Sequence, residues 1–342
     1  MTILGIETSC DETSAAIIKG GNRNSKVSLV SNIIASSLTL HSKTGGIIPE
    51  VAAREQVKYI IPVIKEALLP LGENYKDQID AIAVTYGPGL IGSLLVGVET
   101  AKTLTYVWNK PIIPVNHLFG HVYANWIKSQ KETEIIFPAI ALIVSGGHTD
   151  LILMKNHGQI KWLGGTRDDA AGEAFDKVGR ILGLPYPAGP QIEKLALEVN
   201  EDIYKFPRPL VDSGDFDFSF SGLKTAVLRE VQKQKILTET DVKNLSFSLQ
   251  QAILDVLVKK TFSAAEKYAV KSILLGGGVA ANQALKQRFE FEVKNRNLKA
   301  NLFVPEKKLC TDNAAMIAAA AFYNYKEINW RKLIADPELY FD

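Results

Sequence analysis

Ala139-Ile140-Ala141-Leu142-Ile143-Val144-Ser145-Gly146-Gly147-His148-Thr149-Asp150-Leu151-Ile152-Leu153-Met154 reads as an apolar strand, a small polar glycine turn and a second apolar strand. The chain opens on the same plan with Ile3-Leu4-Gly5-Ile6-Glu7-Thr8-Ser9-Cys10-Asp11-Glu12-Thr13-Ser14-Ala15-Ala16-Ile17-Ile18. Two copies of strand, phosphate-sized turn, strand, separated by helical segments, indicate an internal duplication. The expected fold class is therefore α/β, with a cleft between two similar halves. Such turns offer backbone N–H groups and hydroxyls to a phosphate, and Asp11 and Glu12 can hold a cation or orient a nucleophile. An ordinary polar hairpin has the same composition, so one turn alone decides nothing.

A third glycine loop strengthens the reading. Ile273-Leu274-Leu275-Gly276-Gly277-Gly278-Val279-Ala280-Ala281-Asn282 is a buried strand delivering a glycine triplet to a helix N-terminus, with Asn282 placed for a ribose or base contact. Between the loops, the helix predicted over residues 166–178 carries Asp176, which can accept from ribose hydroxyls or pair with Lys177 or Arg180. The stretch Asp215-Phe216-Asp217-Phe218-Ser219-Phe220-Ser221-Gly222-Leu223-Lys224 can stack a base, although aromatic alternation equally describes half-buried packing.

Pro111-Ile112-Ile113-Pro114-Val115-Asn116-His117-Leu118-Phe119-Gly120-His121 is a short buried strand, a capping Asn116 and a helix start. His117 and His121, at i and i+4, share one helix face and can present two nitrogens to one metal ion. Leu118 stands where the metalloprotease variant of this motif has a glutamate. A third ligand is sought at Asp312, in Leu309-Cys310-Thr311-Asp312-Asn313 ahead of an alanine-rich helix. Two histidines and a carboxylate leave positions open for substrate or water. The same pair also fits one histidine capping a helix and another hydrogen-bonded in a core.

The 342 residues suggest two domains, and the net charge of +2 supplies little long-range attraction for a polyanion. Basic residues gather between Lys286 and Lys308, interleaved with Glu290, Glu292 and Glu306, as on a solvated helix face. The longest apolar stretch, residues 89–98, is too short to span a bilayer, and the N-terminus runs into a strand without a basic leader. No membrane association and a cytoplasmic location are expected. Cys10 and Cys310, without metal-finger spacing, read as packing residues in a reducing compartment. Gly92, Ser93, Gly97 and Ala101 put small residues on one face of a helix, where a partner's helix or the chain's own core can approach closely.

Taken together, Gly5-Ile6-Glu7-Thr8-Ser9-Cys10-Asp11-Glu12-Thr13, Gly45-Gly46-Ile47-Ile48-Pro49-Glu50, the His117 and His121 pair, Val144-Ser145-Gly146-Gly147-His148-Thr149, Phe175-Asp176-Lys177 and the run Gly276 to Asn282 resemble the tRNA threonylcarbamoyladenosine transferase family, in order and spacing over nearly the whole chain. The resemblance implies two duplicated RNase H-like lobes of the acetate kinase, sugar kinase, Hsp70 and actin type around a nucleotide cleft. On it we place one lobe at 1–112, with a helix near 326–336 packing back on it, and the other at 113–330. It implies transfer of threonylcarbamoyl from threonylcarbamoyl-AMP to N6 of adenosine 37, beside the anticodon, in tRNAs reading codons that begin with A. It also implies one divalent metal per subunit, iron or alternatively zinc, on His117, His121 and Asp312. The adenylate would meet Ile143, Val144, Ser145, Gly146, Gly147, Asp176, Gly189, Glu193 and Asn282. No side chain stands out as general base; Asp11, Glu12 and a metal-bound water are candidates. The implied partners are tRNA, an inactive TsaB-like paralogue and a small TsaE-like P-loop ATPase.

Two positions depart from the family pattern. Ala188 replaces the first glycine of a Pro-Gly-Gly-Pro turn, and Gln56 stands where a histidine is usual. Two other function classes compete with the acyltransferase: a metalloprotease, for which Leu118 is the wrong residue, and a nucleotide-dependent scaffold of the Hsp70 or actin type, which needs no histidine pair.

Overall fold

A computed structural model describes residues 1–22, 25–128, 133–234, 236–296 and 298–341. The chain divides into one unit of Met1–Glu134 with Pro305–Asp342 and a second of Ile135–Val304.

The first unit is built on β1 (Thr2–Glu7), β2 (Glu12–Lys19), β3 (Ser28–Ser36), β4 (Ala81–Gly87) and β5 (Ile112–Asn116), in the order β3-β2-β1-β4-β5. β1, β2 and β3 run antiparallel, while β4 and β5 join parallel to β1. β1 is buried along its whole length, as a central strand covered on both faces must be. One cover is the helix pair Pro49–Leu68 and Ile91–Trp108, whose Ile60, Val63, Ile64, Leu94 and Val98 pack on Leu4, Ile6, Ile82 and Val84. Each such side chain contributes about 1.5–3 kcal/mol on burial. The other cover is the helix Ala314–Tyr323, buried at every residue and apolar all round, as an enclosed helix is. It packs on β1 and on the helix His117–Tyr123. Gly5 permits that approach, since a Cβ there would lie 2.3 Å from the Ala314 carbonyl oxygen.

The expected division at 112/113 and 330 is therefore corrected. The first of those boundaries falls inside β5, which pairs with β4 and leads directly into the histidine helix of the same unit. The C-terminal segment returns because the sheet's second face needs the 314–323 helix. Residues 326–336 do not form the expected helix. They hold a single 3-10 turn at Trp330–Lys332, a bridge from Ile328 to Ile112 and a bond from the Asp336 N–H to the Tyr86 carbonyl, at 2.7 Å. They do pack back on the first unit.

The second unit repeats the plan. β6 (Ala139–Val144), β7 (Thr149–Asn156), β8 (Gln159–Gly165), β9 (Ser272–Gly276) and β10 (Asn301–Phe303) lie in the order β10-β9-β6-β7-β8, with β6, β7 and β8 antiparallel and β9 and β10 parallel to β6. This is the first sheet's connectivity strand for strand, so the duplication read from the two hairpins extends to the whole topology. The long helix Glu239–Lys267, closed at its N-terminus by a Thr238/Asp241 capping box, packs against β6 and the helix Gly189–Ala196. The predicted 166–178 helix begins later, at Ala171, because Asp168 is used to cap a different helix, Ser221–Gln232. The aromatic loop is core: Phe216, Phe218 and Phe220 are buried, which removes them as a base-stacking platform.

The small-residue helix face is also internal. Ser93, Gly97 and Ala101 are buried within the first unit, the Ser93 hydroxyl donates to the Cys10 carbonyl, and a Cβ at Gly97 would lie 2.3 Å from Thr8 Oγ1. Close approach is used there by the chain's own β1–β2 turn, and the expected docking of a partner on this face is withdrawn.

Candidate metal centre and nucleotide-binding turns

β5 ends at Asn116, whose side chain accepts the Leu118 N–H at 2.8 Å and so starts the helix His117–Tyr123. The resulting helix turn sets the two imidazoles edge to face, with centroids 4.6 Å apart and planes at 77°. Asp312, in the turn entering the 314–323 helix, brings Oδ1 to 3.6 Å from His117 Nε2 and 3.3 Å from His121 Nε2. Ligand atoms of the three residues all fall within 4.8 Å of one another. Two donors each about 2.0–2.1 Å from a common ion in tetrahedral geometry stand roughly 3.4 Å apart, so the separations suit a metal. A second observation agrees. Both nitrogens of His121 are buried; Nδ1 makes no hydrogen bond and Nε2 has only the long approach of Asp312 Oδ1 at 3.3 Å, an arrangement costly to an imidazole unless Nε2 is bound to something else.

The electrostatics point the same way. Burial holds His121 below the ordinary imidazole range, outweighing the pull of Asp312, so its nitrogens stay available as ligands. His117 is buried too, but the Glu7 and Asp312 carboxylates overcome that and push it up to about 9. A dication at Nε2 would take the place of that proton. Burial first, and then the charges of Asp312, Asp11 and Glu7, push Glu12 up to about 10. The Cys10 thiol is likewise raised, mainly by burial, and fits the packing role expected of it rather than that of a nucleophile. The acid-rich turn Asp11-Glu12 thus shares its field with Asp312, as a site built to receive positive charge does.

Several supporting residues were missed in the sequence. Glu7, closing β1, is fully buried and accepts from the Ser9 N–H at 2.5 Å and the Thr85 hydroxyl at 2.6 Å, with Oε2 3.1 Å from His117 Nδ1. A carboxylate ending an otherwise apolar strand was the available signal. Gln56, at the position of a usual histidine, is buried and directs Nε2 at the carbonyls of Thr8, Cys10 and Glu12, at 3.2, 3.0 and 3.0 Å. It anchors the acidic turn.

In the second unit the β6–β7 turn is closed by the Ser145 N–H on the His148 carbonyl, at 2.9 Å, and by the His148 N–H on Ser145 Oγ, at 3.2 Å. Gly146 and Gly147 are exposed, and a Cβ at either would meet nothing within 4 Å, so this turn is open to a ligand. Ile143 and Val144 are buried strand residues whose side chains belong to the core. The glycine triplet passes beneath: Gly277 has φ +92°, and a Cβ there would lie 2.4 Å from the Val144 carbonyl oxygen. Asp176 accepts the Ala188 N–H at 2.7 Å and lies close enough to bond that of Gly189, while burial outweighs these bonds and raises its pKa. Glu193 accepts the Gln283 N–H at 2.6 Å. Asn282 caps the helix Gln283–Asn295 through the Leu285 N–H and donates to Gln250, both at 2.9 Å. These bonds fasten Asp176 to the 188–189 turn and Glu193 to the 282–283 turn. Ala188 is absorbed without strain: its φ is −83°, and its methyl fills the space left by Gly179. In the basic stretch Arg288 pairs with Asp255, Arg296 with Glu266 and Glu292, and Lys308 with Glu306.

Two copies of one sheet topology, one carrying two histidines and a carboxylate at ligand spacing and the other an open glycine turn, define a two-lobed α/β protein with a candidate metal site. The crystal structure of T. kodakarensis HypF shows this fold at a TM-score of 0.60 and 13% identity, over 95% of this chain and 48% of that one. Residues 28–319 match the family model described as TsaD, tRNA N6-adenosine threonylcarbamoyltransferase. The curated protein of that name from Bacillus subtilis (strain 168) is 50% identical over 324 residues, covering 94% of this chain and 89% of its own. That of Symbiobacterium thermophilum is also 50% identical, over 95% and 92%. The chain belongs to the tRNA N6-adenosine threonylcarbamoyltransferase family.

Proposed function

We infer that this chain is an acyltransferase that moves the threonylcarbamoyl group of threonylcarbamoyl-AMP onto N6 of adenosine 37 in tRNAs reading codons that begin with A, giving t6A. The observation that carries the reading is the family match across residues 28–319, together with His117, His121 and Asp312 gathered at ligand spacing. In the reaction the bond from the carbamoyl carbon to the AMP phosphate oxygen breaks, a bond from that carbon to N6 forms, and N6 loses one proton. His117, His121 and Asp312 hold a divalent ion, proposed as iron with zinc the alternative, since this donor set accepts both. When bound, the ion supplies Lewis acidity to the carbonyl under attack. Asp11 is the side chain proposed to accept the N6 proton, since Glu12, pushed up to about 10, already carries one at neutral pH. Gly146 and Gly147 offer their open backbone to the adenylate phosphate, and Asp176, Gly189, Glu193 and Asn282 shape the remainder of its site. The protease reading lacks a water-activating residue, position 118 being a buried leucine.

The proposed partners are a paralogue of similar fold and a P-loop ATPase, acting with tRNA in the cytoplasm. Among the described residues no helix is long and apolar enough to cross a membrane. For the paralogue we propose the outward side of the two packed helices Pro49–Leu68 and Ile91–Trp108, where Val57, Tyr59, Ile61, Ile91, Leu95, Tyr106 and Val107 are exposed. The test is metal analysis of anaerobically purified protein beside modification of an unmodified tRNA transcript, with and without the paralogue. His117→Ala, His121→Ala and Asp312→Ala are each expected to lose metal and transfer while remaining folded. Full transfer by metal-free His121→Ala protein would overturn the metal reading.

A further inference from the structure

We propose that Glu7 is a positioning residue for the metal centre, holding His117 in the tautomer and orientation that turn Nε2 toward Asp312. β1 and β4 run parallel with Ile6 opposite Val84, so Glu7, at the end of β1, comes beside Thr85 within β4. Glu7 is fully buried, and an ionised carboxylate there is tolerable only if donors surround it. Three do. Oε1 receives the Ser9 N–H at 2.5 Å, and Oε2 receives the Thr85 hydroxyl at 2.6 Å and stands 3.1 Å from His117 Nδ1. Ser9 Oγ, 3.1 Å from the same Nδ1, closes the other side. With Nδ1–H given to Glu7, the lone pair of His117 is at Nε2, the nitrogen 3.6 Å from Asp312 Oδ1.

Charge strengthens the assignment. Neutral imidazoles add none, so Glu7 and Asp312 together balance a dication in a site where an unbalanced charge is expensive. Glu7→Gln keeps the shape and removes both the charge and one acceptor. Placed at the Oε1 position, the new amide meets the Ser9 N–H donor against donor. Placed at the Oε2 position, it faces Nδ1 and favours the tautomer that carries hydrogen on Nε2, where the ion should bind.

The inference rests on the metal reading of His117, His121 and Asp312, and the test separates the two. Zn2+ affinity of the full chain is measured by competition with a chromogenic chelator, with circular dichroism melting of the metal-free proteins as the check on folding. Glu7→Gln is expected to weaken binding about 10–100-fold. In a His117→Ala background, Glu7→Gln should change the residual affinity by less than about twofold, because a residue acting through His117 has nothing left to position. Thr85→Val, which removes only the hydroxyl that fixes Oε2, should weaken binding severalfold and stands in for Glu7→Gln if that variant does not fold. Wild-type affinity in His117→Ala would overturn the metal reading itself. Loss of the ion in His117→Ala with unchanged affinity in Glu7→Gln, or in Thr85→Val where it substitutes, would overturn only the role of Glu7. An equal drop from Glu7→Gln with and without His117 would overturn it too, since the effect would then not pass through the imidazole.

Discussion

Replacing Gln56 by leucine tests how the acidic turn is held. The side-chain volume is nearly kept, so the change is one of hydrogen bonding. Two N–H protons on Nε2 serve three carbonyls, those of Thr8, Cys10 and Glu12. The Cys10 carbonyl keeps the Ser93 hydroxyl at 3.0 Å, so the loss falls on Thr8 and Glu12. Each buried carbonyl left without its donor costs about 1–3 kcal/mol. Gln56 Oε1 is itself buried without a partner, so its removal returns part of that cost. The expected net loss is roughly 2–4 kcal/mol, which lowers the melting temperature by about 4–16 °C for a unit of this size. Chemical denaturation with the slope compared to wild type measures it, and tRNA modification should fall with it as Asp11 and Glu12 lose their support. Gln56→His restores one N–H donor and should recover about half of the stability. A Gln56→Leu protein within about 0.5 kcal/mol of wild type would refute the reasoning, because the three contacts would then contribute nothing net.

Other expectations are simpler to state. Gly97→Leu should destabilise the first unit outright rather than merely block a partner, since even its Cβ would lie 2.3 Å from Thr8 Oγ1; a well-folded variant that fails only in co-purification would reverse that conclusion. Asp168 is held below the usual carboxylate range: its partial burial acts in the other direction but is outweighed by the Ser219 and Ser221 hydroxyls and the Phe220 and Ser221 N–H groups. Its stabilisation is therefore present above the unfolded value of about 3.9 and lost as pH falls below it, so Asp168→Asn should lower stability in urea melts at neutral pH and leave it unchanged in acid. Asp176→Ala and Asn282→Ala should weaken adenylate binding in calorimetry while leaving metal content unchanged; unaltered nucleotide affinity in both would place residues 276–282 outside the pocket.

Much of this architecture was written locally. The strand, turn, strand pattern at Ile3–Ile18 and Ala139–Met154 needs only near neighbours in sequence, and it sets the β1–β2 and β6–β7 pairings. The same holds for Asn116, whose cap reaches two residues along the chain, and for the histidine pair, whose shared face is a property of helix geometry. Long-range packing decided the rest. The 314–323 helix could be recognised as a helix, but its return to the first sheet depends on which face was left bare and on Gly5 admitting it. The same small residues at Ser93 and Gly97 suit an internal turn or a foreign helix, and only the position of Thr8 and Cys10 selects between them. Glu7, Thr85 and Gln56 carry no spacing signal because their partners lie on other strands, up to 110 residues away for Glu7 and His117. Periodicity and caps are set by bonds a few residues long and so are legible in order. Which carboxylate meets which imidazole is set by how strands register and helices stack, and that exists only once the chain has folded.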